Sequence, residues 1–320
     1  MDFHNLVSNI TNPTLLFFLL GILATVVKSD LEIPAPSVKF ISLYLLFSIG
    51  FKGGQELQHG VFSAEIVYAL FLGVAISALI PMYTFFILKP KIGVANAGAV
   101  AAAYGSVSAV TFVSAASFLE MQNLHFDGYM VAIMALMEFP AIVVGVSLIR
   151  RFGGSDEPSS GIRSIVSHAL SNGSVLMIMG SLLIGIVADS KQAEGIKPCT
   201  TDIFKGFLAI FLLEMGMVTA RRFKAFWHHG FYVIAFAVLV PALNGSLVAF
   251  ISEWVTDSHA NRFIFAVLAA SASYIAVPAA MRLAAPKADP GLYIPMALGV
   301  TFPFNITIGM PLYYAIICWC

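Results

Sequence analysis

Apolar residues run in long unbroken stretches, at about 13–27, 35–50, 64–88, 92–119, 128–149, 172–188, 201–219, 229–252, 262–285 and 291–318. Most of these approach the roughly 20 residues that a helix needs to cross a bilayer. Glycine and proline sit inside them, which membrane helices tolerate, whereas a membrane barrel shows only short alternating segments. The pattern predicts an all-α integral membrane protein with ten transmembrane helices. An even number of spans places both termini on one side.

Composition sharpens this. The chain has 320 residues, 59% hydrophobic and 11% charged, with mean hydropathy +0.90. Soluble domains average about 25% charged residues, so a soluble enzyme is excluded. Seventeen basic residues balance 17 acidic ones, leaving no net field to attract nucleic acid. No basic residue precedes the first apolar run in Met1-Asp2-Phe3-His4, so that run is expected to stay as a span and not be cleaved. Cys199, Cys318 and Cys320 lack metal-ligand or disulfide spacing, and the histidines lack an HExxH pattern. No cofactor is expected and no metal beyond a transported Na⁺. Gly50-Phe51-Lys52-Gly53-Gly54 lacks the Walker spacing, which disfavours an ATP-driven pump.

The Lys and Arg positions orient the spans. Twelve of the 17 fall on one set of alternate loops, while Lys52, Lys191, Lys197, Lys205 and Arg262 fall on the other or are ambiguous. Basic loops face the cytoplasm. Both termini are therefore expected outside a plasma membrane.

Arg150 to His168, with its Gly-Gly-Ser-Asp-Glu-Pro-Ser-Ser run, reads as a cytoplasmic linker between residues 1–149 and 169–320. The flanking halves match when one is slid along the other: Asn12 on Asn172, Gly50 on Gly216, Ser106 on Ser271, Gly128 on Gly291 and Pro140 on Pro303, at shifts of 160–166. Five spans per half make the second half enter from the opposite face. A 5+5 inverted repeat of this kind is typical of secondary transporters, with the site where broken helices meet at the midplane.

Two spans carry the marks of such breaks. The fourth holds Gly105-Ser106-Val107-Ser108 and Thr111, and the ninth holds Ser271-Ala272-Ser273-Tyr274 followed by Pro278. Gly105 and Pro278 are the expected helix breakers. An opened helix presents unpaired N–H groups carrying about half a positive charge, and hydroxyls add donors, which suits a small anion. The competing reading is that Ser, Ala and Gly simply let helices pack closely.

Charges within apolar runs are few. Glu138 is central, and its repeat-related region carries Thr301 and Asn305; carboxylate, amide and hydroxyl oxygens there are candidates for coordinating Na⁺, or Glu138 for carrying a proton. Lys52 and Glu214 occupy related spans, where a mutual ion pair competes with snorkelling of Lys52 to the surface.

At these serine clusters, at Ile49-Gly50 with Gly53-Gly54, at Met215-Gly216-Met217 and at Glu138-Phe139-Pro140-Ala141, the sequence resembles the sodium-dependent bicarbonate transporters first known from cyanobacteria. The resemblance runs through both halves. It implies an elevator-like transporter, a homotrimer, a PII-like regulatory partner, and bicarbonate bound by Ser106, Ser108, Thr111, Ser271 and Ser273 with Na⁺ alongside. The chain departs from the pattern at Tyr274, Val110, Val218 and Lys52, where that family carries an aspartate, a hydroxyl, a glutamate and a hydroxyl. Tyr274 and Lys52 therefore join Glu138, Asn305, Thr301 and Glu214 as candidates for ion coupling. The expected function is Na⁺/bicarbonate symport. The alternatives are a proton- or Na⁺-coupled carrier of a small organic anion, and a passive anion channel.

Overall fold

The computed structural model describes residues 13–59, 63–153, 173–226, 230–275, 277–278, 280–281 and 285–319. Among these the chain is helical, with no strand. The helices are α1 (Pro13–Val26), α2 (Ala35–His59), α3 (Ala64–Ile92), α4 (Val94–Gly105), α5 (Ala109–Met121), α6 (Tyr129–Phe152), α7 (Gly173–Val187), the short α8 (Ser190–Glu194), α9 (Phe204–Phe226), α10 (Phe231–Ile251), α11 (His259–Ala270) and α12 (Pro290–Trp319). The last keeps helical winding throughout but loosens to π-type turns at Met296–Thr301 and Asn305–Gly309.

Six runs are long and apolar enough to cross a membrane: Ala64–Ile92, Val94–Met121, Tyr129–Phe152, Pro198–Arg221, Phe231–Trp254 and Pro290–Trp319. Leu16–Val26 and Gly173–Val187 are shorter apolar helices. Two sequence boundaries move. The second apolar stretch, expected to end near residue 50, continues as α2 to His59, because Lys52, Gln55 and Glu56 face a polar cavity and need not break the helix. The linker expected from residue 150 begins later, since α6 carries Arg150 and Arg151 through to Phe152. Its remainder, with Asn12 and Asn172, lies outside the described residues.

Packing sorts the helices into two groups. In one, α1 lies against α9, α2 against α7, and α9 also touches α2. The backbones nearly meet at glycines. A Cβ on Gly21 would collide with the Leu213 carbonyl and one on Gly216 with the Phe18 carbonyl, while Gly54 and Gly185 stand in the same relation across α2 and α7. In the other group α3 packs on α4 and α6, α10 on α11 and α12, and α11 on α5. Helices α6 and α12 touch both groups.

Large apolar side chains such as Phe71, Leu79, Leu239, Leu243 and Leu247 are exposed along α3 and α10. Such a belt suits lipid and would aggregate in water. The Val94–Met121 run is the opposite, with 94% of its apolar window buried by protein. Irregular backbone at membrane depth is tolerated only where protein or a cavity surrounds it, so this run is free to break.

Candidate functional site

Helix α4 stops at Gly105, where a Cβ would collide with the Pro81 ring of α3. Close approach to α3 is what that position requires. Ser106 turns extended (φ −84°, ψ 169°) while its N–H still donates to Ala102 O at 3.0 Å. Ser108 (φ −100°, ψ 112°) then caps α5, its Oγ accepting from Thr111 N–H at 3.2 Å. A serine in this role satisfies one of the orphan donors at a helix start.

Helix α11 ends with nearly the same backbone, Ser271 having φ −82° and ψ 166°. The chain is extended through Ser273, bends at Tyr274 and Ile275, and is helical again at Val277 and Pro278. Pro278, expected to open the helix, comes just after the irregular stretch 271–275, the side on which a proline frees carbonyls it cannot bond.

The two extended stretches cross. Ser108 N–H donates to Ser271 Oγ at 3.1 Å, and Ser273 N–H donates to Ala103 O at 2.8 Å. Ser271 Oγ in turn donates to Leu268 O at 2.8 Å. The expected residues Ser106, Ser108, Thr111, Ser271 and Ser273 are thus together and buried. Their roles differ. Ser108 and Ser271 spend polar groups on holding the crossing and the cap, whereas Ser106 Oγ is fully enclosed with no hydrogen-bond partner among the described residues. The Tyr274 hydroxyl is enclosed beside Ser108, and its ring meets Phe302 edge-on at 6.4 Å.

The remaining carbonyls of α11 are sealed by amides. Asn244 Nδ2 donates to Ala269 O at 3.4 Å and Asn305 Nδ2 to Ala270 O at 2.7 Å. Asn305 Oδ1 also accepts from Tyr313 OH at 3.1 Å, so both ends of this amide are held. Thr301 is engaged likewise, its Oγ1 donating to Ala237 O at 2.7 Å and lying 2.7 Å from Tyr104 OH. Asn244 and Tyr104 were not singled out from the sequence. Asn244, an amide inside the apolar run 229–252, was the signal available.

Glu138 and Glu214 are both buried, each with an enclosed Oε2 that no described residue hydrogen-bonds. They do not meet Lys52. That lysine points to Glu120, Nζ to Oε1 3.9 Å, so the Lys52–Glu214 pairing suggested by the repeat does not form. The reason is the depth of α2: Lys52 lies where the helix leaves its apolar stretch, and Glu214 opens onto a different cavity.

Two cavities flank the crossing. One, of about 660 Å³, is lined by Glu32, Lys39, Glu214, Arg221, Tyr274 and Ile275 among others, and so reaches the extended stretch after α11. The other, of about 460 Å³, is lined by Lys52, Glu56, Glu120, His125, Lys197 and Phe204 among others and stops at Ala116, short of the serines. Glu56, beyond the apolar part of α2, has its carboxyl pushed up to about 7 by burial, with Asp127 adding and Lys52 offsetting. Among the described residues no group of three or more His, Cys, Asp or Glu side chains could hold a metal ion.

A family profile described as the Na⁺-dependent bicarbonate transporter superfamily matches residues 13–318, nearly the whole chain. The chain belongs to that superfamily. No curated protein sequence matches it. Membership, with six long apolar helices, makes it a multi-pass membrane protein with a transporter role. As a member of the superfamily it has bicarbonate and Na⁺ as the ions to be accommodated, and hydroxyl and backbone groups at the crossing are chemically suited to both.

Proposed function

We propose that this protein is a secondary transporter that carries bicarbonate into the cell with Na⁺, binding the anion where the stretches 106–108 and 271–274 cross. The observation that carries this reading is the crossing itself: a helix start capped by Ser108, tied to Ser271 by a backbone N–H, beside the enclosed and unmatched Ser106 hydroxyl. The first amides of α5 and the Ser106 hydroxyl supply donors to an oxyanion in a protein-enclosed setting, where such contacts are strong. No permanently buried cation is needed, so the anion can leave again.

On this reading the protein has ten spans as two inverted sets of five, residues 1–149 and 169–320. Support comes from the near-identical dihedrals at Ser106 and Ser271, 165 residues apart, and from the crossed glycine contacts of α1 with α9 and of α2 with α7. The Lys and Arg bias assigns the cavity at Lys39 and Arg221 to the cytoplasm and the cavity at Lys52 to the outside. The inner cavity reaches Tyr274 and the outer one does not reach the crossing, which describes a carrier open inward. Transport then moves the α3–α6 and α10–α12 group past the group containing α1, α2, α7 and α9, as an elevator does.

Radiolabelled bicarbonate uptake into proteoliposomes under an imposed Na⁺ gradient tests the reading. Accumulation above equilibrium that collapses with the gradient is expected; uptake that never exceeds equilibrium rejects symport and favours a channel. A second reading, proton coupling of a small organic anion, draws on the enclosed unmatched oxygens of Glu138 and Glu214. It requires uptake driven by a pH gradient and abolished in Glu138→Gln or Glu214→Gln.

A further inference from the structure

The outer cavity contains an arrangement that the transport reading does not use. Glu120 lies at the last turn of α5, and its two carboxylate oxygens face two lysines from different helices: Oε1 is 3.9 Å from Lys52 Nζ on α2, and Oε2 is 3.1 Å from Lys205 Nζ on α9. Phe204 steadies this corner, the Lys52 ammonium standing 5.8 Å above its ring. Glu56, one turn beyond Lys52, has its carboxyl pushed up to about 7 by burial, which weakens it as a competing partner of Lys52.

The position of α5 gives the contact its meaning. At its N-terminus α5 holds Ser108 and Thr111 of the crossing, and at its C-terminus it holds Glu120. Helices α2 and α9 belong to the other packing group. The ion pairs therefore tie the end of the rod that carries the binding site to the group past which it must move, in a state whose outer cavity stops short of the site.

We infer that Lys52 and Lys205 form an outer receptor for a planar carboxylate-like anion, that Glu120 is its tethered occupant and holds the outer side shut, and that external bicarbonate trades places with Glu120. A carboxylate bridging two ammonium groups presents the same O–C–O edge that bicarbonate presents. Exchange leaves the two lysines facing one negative charge, as before, and releases α5. The inference rests on the bicarbonate reading for its ligand but not for its geometry.

The test is the rate at which a membrane-impermeant thiol reagent labels Ala116→Cys, in full-length protein with the native cysteines replaced by serine. Ala116 lines the outer cavity one turn before Glu120 and is only 8% exposed. Two partly exposed pairs, each worth a factor of about 1.5–5 in an equilibrium, predict labelling about 2- to 25-fold faster in Glu120→Gln. Sodium bicarbonate, against sodium chloride at equal ionic strength, is expected to speed labelling when Glu120 is present and to add nothing in Glu120→Gln. The paired swap Glu120→Lys with Lys205→Glu should restore slow labelling. Unchanged labelling in Glu120→Gln overturns the inference, and so does a bicarbonate effect no larger than that of chloride. Labelling needs no Na⁺ gradient and no uptake, so a protein that shows the Glu120 and bicarbonate effects yet never accumulates bicarbonate refutes the transport reading and not this one.

Discussion

At Ser106 and at Ser271 the backbone leaves its helix with nearly the same dihedral angles, yet the two breaks are finished differently. The carbonyls at the end of α11 are met by protein: Leu268 O by Ser271, Ala269 O by Asn244 and Ala270 O by Asn305. The first break keeps Ser106 Oγ enclosed and unmatched beside the start of α5, and the second keeps only the Tyr274 hydroxyl so, past its sealed carbonyls. A buried polar atom without a partner is expensive and rare in folded proteins. On the proposed reading the sealed carbonyls of the second break are a fixed floor and the first break is the receptive side.

Substitutions separate these assignments. The largest effect is expected from Ser106→Ala, which removes a donor to a charged ligand and no hydrogen bond to protein. Bicarbonate uptake at low concentration should fall about tenfold or more, with the melting temperature unchanged. Unaltered uptake would mean that the first break is not the receptive one. Asn305→Leu does the reverse, stranding the Ala270 carbonyl in a closed interior while the Tyr313 hydroxyl keeps its bond to Pro241 O. A loss of about 1–3 kcal/mol is expected, seen as a lower melting temperature before any transport is measured. Ser108→Ala should fall between the two kinds, losing the α5 cap at about 0.5–2 kcal/mol and lowering uptake as well, because the same residue shapes the helix start. The smallest effect is expected from Asn244→Leu, whose hydrogen bond to Ala269 O is long at 3.4 Å and part-buried and whose other bond, accepted from Tyr83 OH at 2.5 Å, is exposed. A melting temperature reduced more by Asn244→Leu than by Asn305→Leu would reverse the order of the two seals.

Much of this architecture could be read from the chain. Among the described residues, six of the ten apolar stretches fall in helical runs long and apolar enough to cross a membrane, because lipid leaves a backbone no alternative and so writes length and apolarity into the sequence. The breaks were legible too, since glycine and clustered hydroxyls are conspicuous among Ala and Val. The division of labour among the serines was not. Whether Ser271 is free or engaged depends on Ser108, 163 residues away, and no local pattern reports that. Pro278 was read as a breaker because proline cannot continue a helix, and the irregular stretch lies just before it. For Lys52 the sequence left a pair with Glu214 and snorkelling to the surface both open. Repeat symmetry relates backbone positions, but Lys52 leaves the apolar part of α2 and finds Glu120, whose place at the end of α5 is set by the break thirteen residues earlier.

The claim on which the rest depends is that the crossing of the two extended stretches holds an anion together with Na⁺. Equilibrium binding of bicarbonate to the purified protein, with and without Na⁺, tests it without any transport step. Saturable binding that Na⁺ tightens several-fold is predicted, with bicarbonate tightening Na⁺ by the same factor, as linkage requires. No saturable binding, or binding indifferent to Na⁺, would contradict the account.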